Sequence, residues 1–324
     1  SPRRSAAACS NWPASLATSP DPGDLGRSGS IWPDRSEQTL NTKESGALRR
    51  LFYLGGPSYS GIMDRQQIIA TAHEMADAAR AAILPLFRVT GLDTTNKLEG
   101  GFDPVTAADH AAERAMREVL ARRRPMDAIL GEEFGAHEGT RGLTWVLDPI
   151  DGTRAFISGT PTWGVLIAVS DDTGPLFGIV DQPYIGERFE GGFGRATLTG
   201  PHGTMPLRSS ATAVLAEAKL FTTFPEVGPE QERAGFNAVA AQAKLTRYGM
   251  DCYAYALVAM GQADLVIEAG LNAYDIQGPM AVIAAAGGIV TDWTGGPAHQ
   301  GGRVLAAANA TLHAEALELL KPFT

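Results

Sequence analysis

Asp148 and Asp151 lie three residues apart in the stretch Trp-Val-Leu-Asp-Pro-Ile-Asp-Gly-Thr-Arg, residues 145–154. Their carboxylates and the Ile150 carbonyl between them are hard oxygen ligands for a cation. Just beyond, Gly152 and Thr153 offer N–H groups and a hydroxyl to an anion. Carboxylates this close repel one another unless a cation or protons are shared among them, so the spacing asks for a metal. Asp, Pro and Gly are also ordinary turn residues, and the stretch taken alone reads equally well as a surface turn.

The elements that must position these groups are legible on either side. Residues 145–147 read as a short buried strand broken by Pro149 and Gly152. Residues 127–131 form a second buried-strand candidate that delivers Glu132 and Glu133 at its carboxyl end. Ahead of it, apolar residues from Ile68 to Ile83 keep the helical period across 64–88, with Pro85 in the last turn. A glycine-marked hairpin (Gly91, Gly100, Gly101) leads through Pro104-Val105-Thr106 into a second amphipathic helix, which ends near the basic run Arg122–Arg124. Strands over 163–169 and 176–181, joined by the Asp171-Asp172-Thr173-Gly174 turn, and a meander over 188–193 and 196–198 complete an antiparallel sheet backed by two helices. After Pro206 the pattern becomes that of a smaller α/β unit. Its strands fall at 219–222, 265–268, 289–292 and 304–307, its helices at 229–243, 251–260, 276–286 and 311–320. Two domains follow, 63–206 and 207–324.

The 324 residues suffice for that arrangement. A formal net charge of −9 argues against a nucleic-acid-binding face, which needs cations to neutralise phosphates. No apolar run approaches membrane-spanning length. Cys9 and Cys252 are a poor disulfide pair, one in a tail and one in a helix, so a reducing compartment fits. Residues 1–62 are rich in Ser, Pro, Gly and Arg, contain no methionine and are expected to be disordered. Translated upstream sequence, an organelle transit peptide and a regulatory extension are three readings of this tail. The transit reading is weakened by five acidic residues against seven Lys and Arg. The expected location is the cytoplasm, or a plastid if the tail is a transit peptide.

The Asp-Pro-Ile-Asp-Gly-Thr run at 148–153 resembles the signature of the inositol monophosphatase superfamily, magnesium-dependent and lithium-sensitive phosphomonoesterases. Further segments extend the resemblance from about Asp64 to the carboxyl terminus. Leu130-Gly131-Glu132-Glu133 is similar to the family's Gly-Glu-Glu element, and Ala273-Tyr274-Asp275, with Gly287-Gly288 beyond, to its aromatic-Asp pair. Val105-Thr106-Ala107-Ala108-Asp109 is similar to its Val-Thr-x-x-Asp element. The resemblance implies a layered α-β-α-β-α sandwich, often a homodimer. It implies metal ligation by Glu132, Asp148, the Ile150 carbonyl, Asp151 and Asp275, with Thr153 and Asp109 orienting the attacking water. All these ligands are hard oxygens, with no His or Cys cluster for zinc, so two or three Mg2+ ions per site are expected. The implied reaction is direct attack of a metal-activated water on a phosphate held by the N–H groups of Gly152 and Thr153. Helix capping is the competing reading for Asp275 and for the Thr106–Asp109 pair, and a solvated loop for Glu132 and Glu133.

The alcohol carried by the phosphate is read from flanking residues. Arg154 through Gly164, Ile179-Val180-Asp181-Gln182-Pro183, Gly186-Glu187-Arg188 and the run from Arg247 to Tyr255 look like the histidinol-phosphate phosphatase branch. Such a substrate carries an amine and an imidazole, and Asp251 and Glu268 are the candidates to meet the cation. Asp251 is equally readable as an N-cap. Arg154 is placed beside the phosphate or Asp251. One departure stands out: Gly278 and Pro279 replace better helix formers after Asp275, with Pro279 expected in a first helical turn, and they leave the pocket wall there in question. Inositol 1-phosphate or a nucleotide bisphosphate are the alternative substrates. An inactive scaffold relative is a third reading, opposed by the full ligand set.

Overall fold

The computed structural model describes residues 59–90, 94–96 and 104–324; the expectations for 1–58 and for the glycines of the hairpin fall outside them. Helix α1 (Tyr59–Ile83) is followed by a 3-10 turn, Leu84–Leu86. Pro85 therefore lies just past the α-helix, because its ring cannot supply the N–H that a further turn would need. Strands β1 (Thr94–Asn96) and β2 (Pro104–Thr106) pair antiparallel and lead into α2 (Ala107–Arg123). One stripe of α1 (Ile68, Ala72, Met75, Ala79, Ile83) and one of α2 (Ala108, Ala112, Met116, Val119) are buried in a common core.

That core rests on an eight-stranded sheet. Its strands are β3 (Ala128–Gly131), β4 (Gly135–His137), β5 (Thr144–Asp151), β6 (Gly164–Asp171), β7 (Gly174–Gln182), β8 (Glu187–Gly192), β9 (Arg195–Gly200) and β10 (Gly203–Pro206), with the short helix α3 (Thr153–Ile157) after β5. The order across the sheet is β10-β9-β8-β7-β6-β5-β3-β4. Only the β3–β5 pair is parallel. β4 and β10, which no sequence pattern announced, are its edges.

A second sheet, β12-β11-β13-β15-β14, follows. It comprises β11 (Lys219–Thr222), β12 (Leu245–Tyr248), β13 (Leu265–Leu271), β14 (Ile289–Thr291) and β15 (Gly302–Ala307), with helices α4 (Glu230–Ala240), α5 (Asp251–Ala259), α6 (Ala273–Ala285) and α7 (Ala310–Leu320) between strands or after them. β12, β11 and β13 run parallel, and β15 is antiparallel to its neighbours.

Alternating side chains on single strands separate three cores. On β6, Val165, Ile167 and Val169 face α1 and α2, whereas Leu166 faces the middle layer. On β13, Val266 joins the middle layer with residues of α5 and α6, whereas Leu265 and Ile267 meet Phe236 of α4 and Leu312 of α7. The layers are therefore α-β-α-β-α, as the family resemblance implied. Each fully buried Val, Leu, Ile or Phe contributes roughly 1.5–3 kcal/mol, so the two-faced strands hold the layers together.

Two expectations about proline need correction. Pro149 does not end β5. The register passes from Asp148 opposite Leu166 to Asp151 opposite Gly164, so one extra residue is inserted on β5. A bulge tolerates a residue without an N–H donor, and this one lets the strand continue to Asp151. Likewise Pro279 is not in a first turn: α6 begins at Ala273, which places Pro279 inside the helix, unable to donate to the Asp275 carbonyl four residues back. Gly278 beside it packs close to the sheet: a Cβ there would lie 3.1 Å from the Ile179 carbonyl oxygen of β7 and 3.3 Å from that of Ile167 on β6.

Candidate active site

The β5 bulge is what makes the Asp148/Asp151 pair a site. In a regular strand residues three apart point to opposite faces; the extra residue reverses that parity and puts both carboxylates on one side. Asp275, at the start of α6, joins them from the second half of the chain. One carboxylate oxygen from each of Asp148, Asp151 and Asp275 lies within 4.8 Å of the others. Glu132, just past β3, shares a hydrogen bond with Asp148. Two carboxyls can share a hydrogen bond only with a proton between them, the place a cation would take. Burial, then Glu132, Asp151 and Asp275, push the Asp148 carboxyl well above the usual carboxylate range. Burial and the charges of Asp251 and Asp275 push Asp151 up, against the Cys252 N–H that donates to its Oδ2 at 2.6 Å. Crowded, buried, mutually repelling hard oxygens are a donor set that fits a divalent magnesium-like ion.

All these groups open into one cavity of about 300 Å3, which Ile150, Gly152, Thr153, Arg154, Asp251 and Glu268 also line. Every residue assigned to metal or substrate on sequence grounds therefore reaches the same space. Asp109 alone does not line it: fully buried, it meets the cavity through Thr153, whose Oγ1 lies 3.4 Å from Asp109 Oδ1 and 3.1 Å from the Ile150 carbonyl. Neither Gly278 nor Pro279 lines the cavity, so the departure in α6 does not reshape its wall.

Capping and site geometry coexist at two acids. Asp109 is the third residue of α2 and accepts from the Thr106 N–H at 2.8 Å and the Thr106 hydroxyl at 2.6 Å through Oδ2, which leaves Oδ1 toward Thr153. Asp275 is the third residue of α6 and accepts from the Asn272 N–H at 2.7 Å through Oδ2. The capping box fixes each side-chain rotamer and so aims the second oxygen. Asp251 behaves differently from its N-cap reading. It is the first residue of α5, has a left-handed φ of 47°, makes no cap hydrogen bond, and accepts instead from Thr162 Oγ1 at 3.0 Å. A non-glycine residue held at positive φ beside a cavity is strain stored where a side chain must be aimed. Burial pushes Asp251 up, opposed by the Thr162 hydrogen bond and the nearby Arg154 charge.

Glu268 sits on β13 directly before a second bulge, where Gly270 has φ 81°. It accepts from the Thr223 N–H at 2.9 Å, the Thr223 hydroxyl at 2.5 Å and the Tyr255 hydroxyl at 3.0 Å. Burial outweighs those donors and, with the Asp251 charge adding to it, the carboxyl is pushed up to about 7. In the cavity lining the Arg154 guanidinium stands 4.7 Å over the Phe224 ring. Thr162, Thr223, Phe224 and Tyr255 escaped the sequence reading.

The comparisons with known proteins agree with this geometry. The inositol monophosphatase family profile matches residues 64–322, a span that holds every acid above. The chain is 38% identical over 277 residues, 82% of its length and 78% of the relative's, to the bifunctional phosphatase IMPL2, chloroplastic, of Arabidopsis thaliana. It is 36% identical to a histidinol-phosphatase of Streptomyces coelicolor (77% of this chain, 95% of that protein) and 34% to an inositol-1-monophosphatase of Caulobacter vibrioides (76% and 99%). Among solved structures, an inositol monophosphatase from Zymomonas mobilis superposes with a TM-score of 0.70 at 36% identity, covering 79% of this chain and 98% of that one. With the layered fold, the acidic cavity and the profile all spanning the same residues, the chain belongs to the inositol monophosphatase family and is a phosphoric monoester hydrolase.

Proposed function

We propose that this phosphatase hydrolyses L-histidinol phosphate to L-histidinol and phosphate, as a step of histidine biosynthesis. The observation that carries the reading is that two acids outside the Asp148–Asp151–Asp275 cluster, Asp251 and Glu268, line the same cavity. Burial, and after it the Asp251 charge, raises Glu268, so a cationic group beside these acids would be favoured, and the ammonium of an amino alcohol supplies one. The Streptomyces relative, named a histidinol-phosphatase, supports it.

In this reading Glu132, Asp148, Asp151, Asp275 and the Ile150 carbonyl hold two or three Mg2+ ions, and Asp251 and Glu268 hold the alcohol. Magnesium bound there supplies charge neutralisation of the phosphate and of the departing alkoxide, and makes water more acidic. The Gly152 and Thr153 N–H groups donate to the phosphate oxygens, with Arg154 beside them. Thr153 Oγ1 takes a hydrogen bond from the attacking water while its own hydrogen turns to Asp109 Oδ1, so the proton lost by water has a buried carboxylate to go to. The water oxygen forms its bond to phosphorus as the phosphorus–oxygen bond to the alcohol breaks. The first half of the chain, 63–206, brings most of the ligands and 207–324 completes the site.

The runner-up substrate is inositol 1-phosphate, supported by the Caulobacter relative; a protonated Glu268 would donate to a polyol hydroxyl as readily as its anion pairs with an amine. Steady-state rates with histidinol phosphate, inositol 1-phosphate and phosphoadenosine phosphate in Mg2+ decide the matter. The first should win in kcat/KM by an order of magnitude or more, and preference for either other ester overturns the reading. Among the described residues no helix is long and apolar enough to cross a membrane. We place the protein in the cytoplasm, or in a plastid like its Arabidopsis relative, and as a homodimer, which sedimentation tests.

A further inference from the structure

Glu113 on α2 is fully buried, does not line the acidic cavity and is marked by no sequence motif. Its Oε2 accepts the Glu133 N–H at 2.7 Å and its Oε1 accepts the Phe134 N–H at 3.2 Å. Arg117, one turn on, donates to the same Oε1 at 2.8 Å and also grips the Gly135 carbonyl. On the other side, the Glu132 N–H donates to Leu147 O of β5 at 3.1 Å. The backbone carrying Glu132 is therefore clamped before and after that residue. The fit leaves no slack: a Cβ on Gly131 would lie 2.0 Å from Glu113 Oε1. Burying a carboxylate is costly unless it is paired and hydrogen-bonded, and here every partner is either Arg117 or the 132–135 loop.

We infer that Glu113 is a positioning residue for the metal centre, with the Glu113–Arg117 pair holding the loop so that the Glu132 carboxylate is presented beside Asp148, where it would help to hold a cation. The neighbouring Glu133 carboxylate lies 3.5 Å from His110 Nε2 of α2. Replacing Glu113 by Gln keeps the shape but sets an NH2 group against one of the loop N–H donors and removes the charge that holds Arg117. Partners that orient a ligand typically change metal affinity about 10- to 100-fold. The inference rests on the reading of Glu132 as a ligand.

The test is Mg2+ binding to the substrate-free protein, measured by calorimetry and by the rise in melting temperature with Mg2+, together with the Mg2+ dependence of turnover. Glu113→Gln should weaken Mg2+ binding about tenfold or more and raise the half-saturating Mg2+ accordingly, with kcat at saturating Mg2+ within about threefold of the parent. Glu113→Asp, which keeps the charge but is one methylene short, should shift binding the same way by less, and serves if the Gln variant does not fold. Glu190→Gln is the matched control: a buried, ion-paired acid on β8 that does not line the cavity. It should lower the melting temperature without moving Mg2+ affinity. Unchanged Mg2+ affinity in both Glu113 variants, or an equal shift in Glu190→Gln, overturns the inference. Glu132→Gln separates the two ideas. If it leaves Mg2+ binding intact, the ligand reading itself fails; if it weakens binding while the Glu113 variants do not, only the positioning role fails.

Discussion

The Asp251 carboxylate occupies the space that a side chain on Gly152 would need: a Cβ at Gly152 would lie 2.8 Å from Asp251 Cγ. The turn after β5 and the start of α5 thus interlock, one at φ 83° and the other at φ 47°. Gly152→Ala should cost about 1–2 kcal/mol from the left-handed backbone alone and push Asp251 aside as well. The expected result is a lowered melting temperature and a kcat/KM loss larger for an ammonium-bearing substrate than for inositol 1-phosphate. Equal losses on the two substrates would place Asp251 outside substrate recognition.

Thr153→Ala and Asp109→Asn should each lower kcat by about 10²- to 10⁴-fold, the usual contribution of a proton acceptor, with Mg2+ affinity little changed. The double variant should be no worse than the poorer single one, because the two groups act as one unit. Additive losses in the double variant would show that they do not.

Asp148→Asn should abolish the Mg2+-induced rise in melting temperature and cut turnover at least about 100-fold. In the metal-free protein the same change should raise the melting temperature at pH 8, because it removes a carboxyl that folding must either bury charged among like charges or protonate. The Asn side-chain oxygen can still accept the Ile150 N–H that Asp148 Oδ1 takes at 3.0 Å. A metal-free variant less stable than its parent would count against a repulsive cluster.

Glu268 sets a pH dependence with a definite sign. Its carboxyl moves from an ordinary 4.5 to about 7 in the fold, so the folded state holds a proton that the unfolded chain has released. Stability from this group is complete below pH 4.5, falls as pH rises toward 7 and is level above it. Glu268→Gln should flatten that slope in a melting series across pH 5–8. For substrate the sign is opposite: the anion pairs with an ammonium, so kcat/KM for histidinol phosphate should rise through about pH 7 relative to inositol 1-phosphate, and the Gln variant should lose the rise. The groups facing Glu268 are the Thr223 N–H and hydroxyl and the Tyr255 hydroxyl, with the Asp251 charge acting on it as well.

Residue types and short spacings were enough to propose the chemistry. Asp148, Asp151, Glu132 and Asp275 are legible because a hard-cation site demands carboxylates, and the helices and inner strands because their apolar periods are local. The edge strands β4, β10 and β12 were not, since an exposed strand carries no apolar alternation. Nor were the partners of Glu268. Thr223 is 45 residues from it in the chain, and nothing local marks a threonine whose hydrogen bond is that distant.

The acids of the cluster, the family and the order of helices and strands were legible in the sequence, because all of them depend on residue identity and near-neighbour pattern. Tertiary structure alone decided that Pro149 makes a bulge rather than a break, turning a three-residue spacing into one face. It also decided that Asp109 and Asp275 cap their helices and face the site at once, and that Glu113 clamps the loop behind Glu132. Each of these depends on which strand lies alongside which, and that pairing is set by burial across the layered cores rather than by any local run of residues.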